Sequence, residues 1–106
     1  MLYVHYAVGL LLFLTALVAI FYAPARRYLD YVLALQIVLG VATIFTLKLA
    51  PPAAHWILAV LTGGIWPMGR ALARRGRPPG VVAAVFAFGA LILAYVIYLG
   101  MHALRR

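Results

Sequence analysis

Apolar residues fill the chain in four stretches, about Leu2–Tyr22, Tyr28–Leu49, Ala53–Leu72 and Gly80–Leu104, with few polar residues inside them. Each is close to the ~20 residues that a helix rising ~1.5 Å per residue needs to cross ~30 Å of hydrocarbon. No stretch alternates apolar and polar with period two, and an open sheet edge in lipid would leave its amides unsatisfied. The pattern therefore predicts an all-α fold, a four-helix transmembrane bundle that occupies residues 1–106 as one domain.

The breaks are short. Pro24 with Arg26 and Arg27 ends the first span, Pro51-Pro52 separates the second from the third, and Arg74-Arg75-Gly76-Arg77-Pro78-Pro79-Gly80 separates the third from the fourth. The first span lacks a basic leader and is too long for the apolar part of a signal peptide, so it reads as a span. Arg26, Arg27, Arg70, Arg74, Arg75 and Arg77 flank the first and third connections, against Lys48, Arg105 and Arg106 on the other side. The positive-inside bias then predicts both termini outside, N-out and C-out. Tyr3, Tyr6 and Trp56 would form the outer aromatic belt, and Tyr22, Tyr28 and Tyr31 the inner one. Trp66-Pro67 predicts a kink in the third span.

Composition narrows the function. Of the 106 residues, 69% are hydrophobic and 9% charged, whereas a soluble domain carries about 25% charged residues. The net charge of +8 does not indicate nucleic acid, because no segment presents a solvated basic face interleaved with aromatics. The chain holds no Cys, Ser, Asn or Glu, and Asp30 is its one carboxylate. Thiolate-ligated metals, Ser or Cys nucleophiles and paired-carboxylate chemistry are thereby excluded within one chain. Proton-coupled antiport needs an acid within a span; Asp30 instead falls at a helix start beside Arg26 and Arg27.

The polar groups left within the spans are His5, His55, His102, Gln36, Thr15, Thr43, Thr46 and Thr62. In the predicted topology the three histidines, each from a different helix, lie on one level in the outer leaflet, and ionisable groups in spans are functional candidates. Two imidazoles facing across a bundle, with no thiolate or carboxylate nearby, suit the axial positions of a b-type haem. Gly9 lies one turn after His5 and Ala59 one turn after His55, which predicts room for a flat macrocycle. Lys48, Arg105 and Arg106 are the cations available to its propionates. His102 shares a helix face with Tyr98 and Tyr95, and it would bond a propionate or complete a tris-histidine copper site. Spacing alone does not choose between haem, copper and zinc.

The run Gln36-Ile37-Val38-Leu39-Gly40-Val41-Ala42-Thr43, followed by Pro51-Pro52 and His55, resembles the Gln-x-x-Leu-Gly-x-x-Thr span, short outer loop and haem-ligating histidine of the heme A synthase family. His5 followed by Gly9, with Arg26-Arg27 at the far end of its helix, resembles the family's preceding ligand helix. The match runs from about residue 5 to about residue 70, roughly two thirds of the chain. The family is built from two pseudosymmetric four-helix halves, so the resemblance implies one such half. It further implies that His5 and His55 are the iron ligands, with Gln36, Gly40 and Thr43 lining or packing the haem side. Where the family's catalytic half carries a Glu and an Arg around the first histidine, this chain has Leu2 and Tyr6.

These readings lead to a small b-type haem protein in the cell membrane of a prokaryote, not a catalyst on its own. It would serve electron transfer or haem handling beside respiratory oxidase subunits, or pair with itself or a sister subunit. The alternatives from other classes are a haem-free structural subunit of a larger membrane complex and a histidine-based copper-handling protein.

Overall fold

In a computed structural model, which describes residues 2–48 and 53–104, the chain is helical throughout its long elements. Helix α1 spans Leu2–Phe21, a 3-10 turn spans Ala23–Tyr28, and helices α2, α3 and α4 span Leu29–Leu47, Ala53–Arg74 and Pro79–Leu104. All four α-helices are long and apolar enough to cross a membrane. Phe21, Phe45 and Leu91 are 87%, 77% and 70% exposed, a surface that lipid solvates and water would not. The expected belt residues Tyr3, Tyr6, Trp56, Tyr22, Tyr28 and Tyr31 are likewise exposed. The molecule is a rod of 46 × 19 × 17 Å.

Short connections force neighbouring helices antiparallel. One end of the rod thus carries the starts of α1 and α3 with His5 and His55, and the other carries Arg26, Arg70, Arg74 and Arg77. Seams α3–α4, α1–α2 and α1–α4 are extensive, and among helices adjacent in the bundle α2 and α3 share the smallest seam.

Local chemistry explains the element ends. Pro24 enters at the start of the 3-10 turn, where its missing N–H costs nothing. Lys48 closes α2 in the left-handed region at φ 56°, its N–H donating to the Ile44 carbonyl at 2.7 Å. Gly76, with φ +73°, supplies the left-handed residue that turns α3 toward α4. Pro79 starts α4, again in the first turn. Helix α3 continues two residues beyond the expected Leu72 and contains Pro67, the position of the expected kink, in its interior. The expected Pro51-Pro52 break and the end of the second span at Leu49 lie outside the described residues.

The core is asymmetric. Leu12, Ala16 and Ala19 of α1, Leu29 and Leu33 of α2, Ile65 and Trp66 of α3, and Val82, Phe86, Ala90 and Leu93 of α4 form one cluster in the middle and arginine-side part of the rod. Toward the histidine end, the buried positions are small or medium-sized, Gly9, Thr43 and Val96. In membranes close packing over small residues replaces the hydrophobic drive between helices, and Gly69 and Gly89 supply it beneath Phe86 and Trp66.

Candidate functional site

Helices α1 and α3 each bring a histidine to the same end of the bundle, and each ring is received by a glycine on the next helix. A Cβ on Gly40 of α2 would lie 3.0 Å from His5 Cε1, and one on Gly100 of α4 would lie 2.7 Å from His55 Cε1. The two helical hairpins therefore repeat one device, an imidazole of the first helix laid against a glycine of the second.

The two histidines differ in their second nitrogen. His55 Nδ1 is 2.7 Å from the Val96 carbonyl oxygen, an acceptor only, so Nδ1 carries the proton and donates. In the neutral ring the lone pair is then on Nε2, the atom left for a metal, in the arrangement usual for histidine ligands backed by a carbonyl. His5 Nδ1 is buried without a partner, as is Gln36 Oε1. Gln36 Nε2 donates to the His5 backbone carbonyl at 2.8 Å, tying α2 to the first turn of α1.

Gly9 differs from its expected role. A Cβ there would lie 2.8 Å from Gln36 Nε2, so the small residue admits the glutamine amide between α1 and α2. Thr43 is buried and donates to the Leu39 carbonyl at 2.8 Å, a bond within its own helix. Thr15, Thr46 and Thr62 likewise donate to carbonyls of their own helices. These hydroxyls are spent on backbone.

His102 is exposed, its ring stacked on Tyr98 at 5.7 Å and 14°, and Tyr98 in turn on Tyr95 at 6.2 Å. Among the described residues no group of three His, Cys, Asp or Glu is gathered that could hold a metal ion. The three histidines thus do not form a tris-histidine centre within these helices; α4 turns His102 away from the face that carries Val96 and Gly100. Lys48 is exposed at the histidine end. Arg105 and Arg106, the other cations expected there, lie outside the described residues.

Asp30 stands in the first turn of α2, as expected. Its carboxylate accepts from Arg70 of α3 rather than from Arg26 or Arg27 beside it in sequence. Arg70 Nη1 additionally donates to the Arg26 carbonyl at 3.2 Å. The only acid is therefore consumed in a clamp at the arginine end, far along the rod from both ring notches.

Sequence reasoning missed Val96 and Gly100. A signal for them exists: Ile37-Val38-Leu39-Gly40 recurs as Ile97-Tyr98-Leu99-Gly100, so the residue four before each glycine, Gln36 or Val96, faces the histidine of the preceding helix. No protein-family model, curated protein or solved structure matches the chain.

Proposed function

We propose that this chain is a small membrane protein of the b-type cytochrome kind, holding one haem between His5 and His55 and serving electron transfer or haem handling beside a respiratory oxidase. The observation that carries the reading is the paired notch: two imidazoles on opposite helices at one end, one of them with its Nδ1 proton committed to Val96 and its Nε2 lone pair free. The scarcity of large buried side chains at that end and the loose α2–α3 seam support it, since a planar group entering there spares the three tighter seams. Two neutral nitrogen donors without thiolate or carboxylate fit low-spin haem iron.

A haem so held supplies a one-electron iron couple. The chain's own groups do the rest. Val96 fixes the tautomer and plane of His55, Gly40 and Gly100 seat the rings, and Gln36 anchors the helix turn that presents His5. Lipid-facing side chains around this end keep bulk water from it. Asp30 is engaged by Arg70 at the other end and the chain has no Glu, so no acid stands beside His5 to take part in oxidising a haem methyl group; we favour electron transfer over synthase chemistry. The histidine end is the outer one in this reading, because six of the nine basic residues crowd the opposite end.

The test is the visible spectrum of the purified chain. We expect a Soret band that survives purification. His5→Ala or His55→Ala should each lower haem retention by more than the ~10–100-fold typical of losing a ligand's supporting partner, while His102→Ala leaves it intact. Absence of the band after haem is added back, or its persistence in the double variant His5→Ala/His55→Ala, would overturn the proposal. The second reading, a haem-free subunit packed on a larger complex, draws support from the exposed Tyr95–Tyr98–His102 ladder; a chain without haem-dependent absorption favours it.

A further inference from the structure

The arginine end carries a charge that the haem reading does not use. Arg26 Nε donates to the Ala19 carbonyl at 2.7 Å and Nη2 to the Ile20 carbonyl at 3.0 Å, capping the end of α1. Its guanidinium lies 4.4 Å from the centroid of the Phe86 ring, which is fully buried. This cation is therefore held in place, partly withdrawn from solvent, by groups from two helices. Carbonyl dipoles and a ring face attract it without cancelling its charge. Asp30 is the only side-chain carboxylate in the sequence, and Arg70 holds it. No side chain of the chain is left to neutralise Arg26.

Arg26 lines a cavity of about 370 Å³ together with Arg77 from the α3–α4 turn. The rest of its wall is mainly apolar, including Ile20, Phe21, Val82 and Ala83. It lies where α1 ends and α4 begins, the level at which apolar spans give way to polar connections. Fixed positive charge above an apolar wall at that level matches a phospholipid, whose phosphate lies where its acyl chains begin.

We propose that this cavity binds an anionic phospholipid, with the phosphate at Arg26 and Arg77 and the start of an acyl chain against Ile20, Phe21 and Val82. A soluble anion would leave the apolar wall unused, and a zwitterionic headgroup would bring a further cation toward two that already lack a counterion. Arg74 and Arg75 do not line the cavity; the general bias of basic residues to one side accounts for them, and they serve as internal controls.

The experiment uses the full chain in neutral detergent with added phosphatidylglycerol or phosphatidylcholine, read by native mass spectrometry and thermal melting. We expect phosphatidylglycerol to be retained at about one per chain and to raise the melting temperature, with phosphatidylcholine doing neither. Arg77→Gln, an exposed position, should weaken retention about fivefold, the worth of one arginine near an anionic headgroup, and Arg75→Gln should leave it unchanged. Equal retention of the two lipids, equal effects of the two substitutions, or a matching melting shift from inorganic phosphate alone would each overturn the proposal.

Discussion

Replacing Gly89 with valine destabilises the bundle by about 3 kcal/mol, the upper part of the range for forcing extra atoms into a packed core. A Cβ at this position would lie 2.6 Å from Trp66 Nε1, 3.2 Å from Trp66 Cδ1 and 3.4 Å from Ile65 Cγ2. The indole is fully buried, and a rigid ring inside a close-packed interior has no adjacent space to move into. Either α4 moves off α3 or the ring leaves its rotamer, and the extensive α3–α4 seam weakens in both cases. The control is Gly64→Val, where nothing lies within 4 Å of the added Cβ and the change should be within about 0.5 kcal/mol. Unfolding in mixed micelles by rising denaturing detergent, followed by helical circular dichroism, compares the two. Equal midpoints would show that Gly89 of α4 does not pack against Trp66 of α3.

Gly100→Val acts on the site rather than on the core. The new Cβ would lie 2.7 Å from His55 Cε1 and 3.1 Å from its Nδ1, so the ring must leave the notch and give up its bond to the Val96 carbonyl. We expect haem retention to fall at least about tenfold, the lower bound for losing a ligand's orienting partner. The fold should be largely preserved, because Gly100 lies beyond the buried cluster that ends at Leu93. Gly80→Val on the same helix meets nothing within 4 Å and should leave both haem and melting temperature unchanged. Haem retention in Gly100→Val equal to that of the unaltered chain would detach the notch from any ligand role.

Why the helices were legible and the site only partly so follows from what a one-dimensional pattern encodes. Twenty-residue apolar runs interrupted by Pro24, Pro78 and clustered arginines leave a chain in lipid no alternative to spanning helices, and the observed ends differ from expectation by two residues or fewer where they are described. Contacts between helices depend on rotation and register, which those runs do not specify. Asp30 illustrates this: its sequence neighbours Arg26 and Arg27 are near, yet hairpin geometry delivers Arg70 from 40 positions away. Gly9 follows the same rule, since a glycine one turn from a histidine is equally suited to a macrocycle or to the Gln36 amide, and only the α1–α2 register decides. The 3-10 turn at Ala23–Tyr28 had a local cue in Pro24, but an arginine folded back to cap α1 and lying against Phe86 of α4 is a tertiary arrangement that no local pattern marks. His55 was legible as an ionisable group in a span. Its partners Val96 and Gly100 were not, because they are apolar or bare and are recognised only through the recurrence of Ile-x-Leu-Gly.

Low-temperature electron paramagnetic resonance of the haem-loaded ferric protein reads whether one iron is gripped by both imidazoles. We expect a low-spin signal characteristic of two imidazole ligands, at one haem per chain, converting to a high-spin signal or disappearing when either His5 or His55 is replaced by alanine. A high-spin signal in the unaltered protein, or a low-spin signal that survives both single replacements, would contradict it.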